Sequence, residues 1–241
     1  MKELLFYIVI LLANIIQGIT GFAGTILAMP FSLILVGYDV AKPVLNVLGL
    51  LSGVYVFLGN RKHVCIKEVQ KIVAIMTVGV LTGMIVKRYL RGSEQILYYM
   101  LGIFVVCLGV HGLLTMRQEG KDGKNKKGNL LLLVGAGIAH GIFVSGGPLL
   151  IGYLTKKITK KEEFRATIST VWILLNTIIL VSDIVDGLWT PKLLQTQLFS
   201  IPFLLVGMFI GSKLYKHMSQ KLFMGLTYLL LLLSGVTLLL K

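Results

Sequence analysis

Two stretches decide the fold: Gln17-Gly-Ile-Thr-Gly-Phe-Ala-Gly-Thr-Ile-Leu27 and His140-Gly-Ile-Phe-Val-Ser-Gly-Gly-Pro-Leu-Leu150. Laid side by side they agree at Gly18/Gly141, Ile19/Ile142, Gly24/Gly147 and Leu27/Leu150. Each lies in an uncharged run too long for one membrane-crossing helix, 35 residues over 4–38 and 28 residues over 128–155. A single crossing takes about 20 residues. Glycine permits tight turns and close backbone approach, so each stretch reads as the vertex of a helical hairpin.

Working outward, the other uncharged runs are 43–60, 72–86, 95–116, 166–182, 193–212 and 222–240, each fitting one crossing. The run 72–86 reaches that length only if Lys71 and Lys87 extend their amines outward. Only 14% of the 241 residues are charged and 56% are hydrophobic. A soluble domain carries about 25% charged residues. The one hydrophilic stretch, Arg117-Gln-Glu-Gly-Lys-Asp-Gly-Lys-Asn-Lys-Lys-Gly128, divides the chain into halves 1–116 and 129–241 joined by linker 117–128. Each half runs in the same order, a long glycine-rich run and then three single spans. In each the second single span carries a GxxxG, Gly79/Gly83 and Gly207/Gly211, a pattern that lets helices approach closely in lipid.

Basic residues choose between two topologies. If all eight runs cross once, Lys and Arg divide 12 to 12 between the sides. If each long run enters and returns on the same side, the division is 17 to 7. Cytoplasmic loops collect Lys and Arg, so the second topology is preferred. It places both termini outside and the linker in the cytoplasm, and it gives the halves opposite orientations. The expected fold is an all-α integral membrane protein of two inverted repeats, each a re-entrant hairpin plus three transmembrane helices. The hairpins are expected to be pairs of half-helices, although the 35-residue run also leaves room for two short crossings.

Irregular backbone at membrane depth is tolerated where it is buried in protein or lines a cavity, so the vertices are the expected site. Helices returning from them would present unpaired N–H groups and a positive dipole end to an anion. Gly18, Gly21, Gly24, Gly141, Gly146 and Gly147 shape the vertices. Ser145 reads as a helix N-cap, with Thr20 or Thr25 in that role in the first half. Polar residues within apolar runs add Gln17 matched to His140, Asn46 matched to Thr167, and Asn176. His111 has no such counterpart and reads as structural or interfacial. No Asp or Glu falls inside an uncharged run, which favours an anionic or neutral substrate over a buried cation. The bland alternative for the glycines is close helix packing, and for each polar side chain a helix–helix hydrogen bond.

Other chemistries find no support. Cys65 and Cys107 form no CxxC or Cys/His cluster, so no metal or redox cofactor is expected. No GxxxxGK[ST] appears for nucleotide binding. The net charge of +14 is distributed as membrane-flanking lysines rather than as a basic face for nucleic acid. The N-terminal apolar run is far longer than the core of a removable signal peptide.

Gln17-Gly-Ile-Thr-Gly-Phe-Ala-Gly-Thr25 with Pro30, the two-half design, and His140-Gly-Ile-Phe-Val-Ser-Gly-Gly-Pro148 followed by Glu163-Phe-Arg-Ala-Thr167 resemble the TauE/SafE group of membrane permeases. The resemblance covers nearly the whole chain. It implies movement of sulfite, organosulfonates or related small anions across the cytoplasmic membrane, usually outward. The chain departs from the group in the shorter glycine run of Ser145-Gly146-Gly147-Pro148. The resulting expectation is a non-enzymatic secondary permease of the cell membrane working by alternating access on a small anion. A passive anion channel and an intramembrane serine hydrolase using His140 and Ser145 are the rival readings. The GxxxG pairs serve packing within one chain or between two, so a homo-oligomer is open.

Overall fold

The structure, a computed structural model, describes residues 2–21, 23–90, 93–115, 126–154, 157, 158 and 160–214, and eight positions between 228 and 240. Nine α-helices are bounded within it. They are α1 (Lys2–Thr20), α2 (Gly24–Val36), α3 (Tyr38–Asn60), α4 (Ile66–Tyr89), α5 (Glu94–Thr115), α6 (Lys126–Phe143), α7 (Gly147–Leu154), α8 (Lys161–Val185) and α9 (Pro191–Leu214). A 3-10 turn, Arg61–His63, joins α3 to α4, and no strand occurs among the described residues. Six helices are long and apolar enough to cross a membrane: α1, α3, α4, α5, α8 and α9. Large apolar side chains such as Leu12, Val78, Leu81, Leu198 and Phe209 are exposed on the outer faces of α1, α4 and α9, where lipid would cover them. The chain is thus a multi-pass helical membrane protein. Linker residues 117–125 and most of the last expected span lie outside the described residues, while Lys126 to Gly128 begin α6.

Both long runs form hairpins, but not of two half-helices. The first arms, α1 with 19 residues and α6 with 18, are close to full crossing length. The returning arms are short, 13 residues in α2 and 8 in α7. The expected half-helices therefore do not describe the first arms, and α6 begins at Lys126, ahead of the uncharged run.

Each turn has the same construction. Gly21 takes a left-handed conformation (φ 83°) and returns its N–H to the carbonyl of Gln17 at 2.6 Å. Val144 (φ 53°) does the same to His140 at 2.7 Å. These bonds satisfy carbonyls that the helix end leaves open.

Glycine contacts then fix the hairpins. Among the most extensive packings are α4 on α6 and α1 on α9, with α3 lying along α8. A Cβ at Gly18 would stand 2.8 Å from the carbonyl oxygen of Met208 and 3.0 Å from Cα of Gly211. One at Gly141 would meet the carbonyl of Val80 and stand 3.0 Å from its Cα. The two GxxxG pairs are thus spent inside the chain: Gly79 and Gly83 on α6, and Gly207 and Gly211 on α1.

The expected placing of charge is overturned, for Lys87 as well, which is buried rather than extended outward. Lys42 and Asp183 stand at the ends of uncharged runs, where the sequence pattern puts the loops between spans, yet both lie within helices, α3 and α8, and are 1% exposed. They pair at 2.6 Å. A carboxylate is therefore buried in the bundle, at a cost that the ammonium partner offsets.

Candidate functional site

The two vertices meet α3 and α8 around a buried cavity of ≈ 20 Å³, lined by Gln17, Thr25, Ile26, Gly49, His140, Val144, Ser145, Gly147, Trp172 and Asn176. Such a space accommodates a water molecule and little more. No lining residue is acidic, and the starts of α2 and α7 both border it.

The first hairpin caps itself. Gln17 accepts the N–H of Gly24 on Oε1 at 2.7 Å and donates from Nε2 to the Ser52 hydroxyl at 3.2 Å. Thr20 accepts the N–H of Ala23 at 3.1 Å and donates to the carbonyl of Ile16. A single glutamine thereby ties α1, α2 and α3 together. Gly24 has no room for more: a Cβ there would lie 2.7 Å from Cβ of Gln17 and 2.8 Å from the carbonyl oxygen of Ala13. Thr25 is not a cap; it faces the cavity one residue into α2.

The second hairpin is held from outside. Nε2 of His140 lies 2.8 Å from Oδ1 of Asn176 on α8, and the imidazole stacks on Trp172 with ring centroids 4.9 Å apart. Its Nδ1 is buried and has no hydrogen-bond partner. The Asn176 oxygen accepts, so Nε2 carries the proton and Nδ1 is left as the open ring position. Ser145 does not cap α7. Its hydroxyl donates to the carbonyl of Phe143 at 2.8 Å, because the left-handed Val144 turns the chain before the helix begins at Gly147. The Ser145–His140 bond that a hydrolase would require is not made.

The structure therefore places Gln17, Thr25, His140, Ser145, Gly147 and Asn176 at the cavity. Gly21 sets the first turn, while Gly18 and Gly141 pack the helices behind it. Gly146 sits against the carbonyl of Ala136, one step before α7. Asn46 is fully buried near the lining and donates to the carbonyl of Asn176 at 3.0 Å. Thr167 is apart from the group, accepting the N–H of Cys65 at 3.0 Å. The matched pairing of Asn46 with Thr167 thus does not correspond to shared surroundings. Missed were Ile26, Gly49, Val144 and Trp172 in the lining, and Ser52 behind Gln17. Helical spacing held a signal for two of them. Trp172 is four residues before Asn176 and Gly49 three after Asn46, so each shares a face with a residue already singled out.

Among the described residues no group of His, Cys, Asp and Glu is arranged to hold a metal ion. No curated protein and no solved structure matches the chain. The sequence model of the family described as Sulfite exporter TauE/SafE matches residues 6–238, spanning both hairpins, the cavity and all nine bounded helices save the start of the first. With nearly its whole length matched, the chain belongs to the TauE/SafE family of membrane transporters.

Proposed function

We propose that this chain is a secondary permease of the cytoplasmic membrane that moves a small anion by alternating access, with sulfite or an organosulfonate the first candidates. The observation that carries the reading is the convergence of two hairpin vertices, and of the helices that return from them, on one buried cavity free of carboxylates. Helix starts attract anions through their unpaired N–H groups. Thr25, His140, Ser145 and Asn176 supply side-chain donors and acceptors around that point, Gln17 holds the first vertex in place from the cavity wall, and Asn46 supports Asn176 from behind. At ≈ 20 Å³ the cavity is too small for an oxyanion, so loading requires the vertices to part. Reciprocal packing of α1 on α9 and α6 on α4 supports two related halves, and the 17 to 7 division of Lys and Arg supports their opposite orientation with the linker 117–128 in the cytoplasm.

The test is transport by the whole protein in proteoliposomes, using radiolabelled sulfite and a panel of small anions. Saturable uptake with counter-flow is expected. Conduction without counter-flow would make the chain a channel, and failure of every anion to move would sink the anion reading. Orientation is tested by Asp122→Cys in a background lacking Cys65 and Cys107. The inverted arrangement expects no labelling by an impermeant thiol reagent added to intact cells.

A further inference from the structure

The polar surface around the cavity continues along the seam between α3 and α8. Lys42, Asn46 and Gly49 follow one another on one face of α3. Asn46 and Gly49 meet Asn176, and Lys42 meets Asp183 two turns farther along α8. The seam thus leads from the cavity wall to a buried cluster of charge.

That cluster is unbalanced. Nζ of Lys42 lies 2.6 Å from Oδ1 of Asp183, and Nζ of Lys87 lies 4.0 Å from the same oxygen. All three side chains are at most 8% exposed. Two ammonium groups share one carboxylate, and Oδ2 of that carboxylate has no hydrogen-bond partner. A pair kept solely for stability is expected to satisfy both oxygens, since a half-satisfied buried network is costly. The cluster is also coupled to the second vertex. Tyr38, one turn before Lys42 on α3, donates its hydroxyl to the carbonyl of Ile142, and Lys87 stands 5.6 Å from the centre of the Tyr38 ring.

We propose that Lys42 binds the transported anion on its way to or from the cavity, and that Asp183 is its tethered competitor, a carboxylate occupying the anion's place when the path is empty. The proposal rests on the reading of the chain as an anion permease. An arriving oxyanion takes the Lys42 ammonium, and Asp183 swings to Lys87, already near its Oδ1. During the exchange Asp183 always faces an ammonium and the arriving anion takes up the surplus charge, so no new unpaired charge is created, the situation that makes breaking such pairs expensive. Release of the anion returns Asp183 to Lys42. The surplus ammonium and the unpartnered oxygen are then the two features that permit the exchange.

The experiment measures KM for radiolabelled sulfite with the full chain in proteoliposomes. Asp183→Asn removes the competing charge and is expected to lower KM about tenfold, the scale of one charge-assisted hydrogen bond. Lys42→Gln is expected to raise KM by a similar factor. A KM at or above the wild-type value in Asp183→Asn overturns the proposal. So does equal loss of transport in both single variants with recovery in the double variant, the mark of a purely structural pair. If Asp183→Asn does not fold, Lys87→Gln takes its place. It deprives Asp183 of its alternative partner and is expected to raise KM, and an unchanged KM overturns the proposal. Failure of the underlying reading looks different: the wild-type protein moves no anion, and this proposal falls with it.

Discussion

At the first vertex the chain leaves α1 through Gly21, and the returning α2 is capped at once by Gln17 and Thr20 from its own hairpin. At the second it leaves α6 through Val144, and no side chain of that hairpin caps the eight-residue α7. His140, aligned with Gln17, instead reaches across to Asn176 and Trp172 on α8. Outer contacts differ too. Arg165 of α8 donates to the carbonyl of Gly18 at the first vertex, whereas Tyr38 of α3 donates to that of Ile142 at the second. One backbone design thus carries two chemistries. The first hairpin has spent its polar groups on itself, and the second keeps an unpartnered imidazole nitrogen and a strained turn at the cavity. If one vertex is built to hold still and the other to answer a ligand, these are the respective candidates.

The largest expected effect tests what the halves share. Gly141→Val and Gly18→Val each drive a side chain into backbone of a neighbouring helix, Val80 in one case and Met208 with Gly211 in the other. Backbone cannot yield as a flexible side chain does. Each variant is expected to lose about 3 kcal/mol or more, at the upper end of overpacking costs. Thermal unfolding in detergent checks this, and tolerance of valine at only one position would break the equivalence of the two seams.

Exchanging the aligned residues tests what the halves do not share. His140→Gln leaves an amide able to donate to Asn176 but removes the ring nitrogen at the cavity. It is expected to fold and to lose transport about tenfold, the scale of one hydrogen bond that Nδ1 accepts from the hydroxyl of a protonated oxyanion. Gln17→His removes the acceptor of the Gly24 N–H and is expected to cost about 1–2 kcal/mol of stability, as the loss of a helix cap does. Proteoliposome uptake and thermal unfolding, measured on both variants, separate the two effects. A transport defect confined to Gln17→His would reverse the assignment of roles.

How far the sequence carried these roles depends on the distance over which they are set. The hairpins were legible because Gly18, Gly21 and Gly24, and their counterparts at 141–147, act within a few residues of chain. Matched order also brought Gln17 and His140 forward, and both line the cavity. What stayed hidden is set by partners far along the chain. Reading charge as a boundary between spans placed Lys42 and Asp183 in loops, since neither reveals alone that the other, 141 residues away, makes burial affordable. Ser145 has the composition of a cap, but the positive φ of Val144 turns its hydroxyl to Phe143 instead. A β-branched residue in that conformation has no sequence signature, because valine is nearly the last residue expected there.

Val144 supplies the smallest expected effect and the finest test of the comparison. A non-glycine residue in the left-handed region costs about 1–3 kcal/mol. Val144→Gly removes that cost, but it also forfeits a buried valine side chain, worth about 1.5–3 kcal/mol, and gives the unfolded chain more freedom. The terms oppose one another, so net stability is expected to move by about 1 kcal/mol or less, far below the usual cost of emptying a buried position. Gly21→Val runs the other way. A Cβ there finds nothing nearer than the Arg165 side chain at 3.7 Å, so the penalty is chiefly conformational, about 1–3 kcal/mol. Thermal unfolding of the two variants gives the difference directly. Should Val144→Gly cost as much as Gly21→Val, the turn at Val144 holds no strain, and the second vertex loses one of the two features that set it apart.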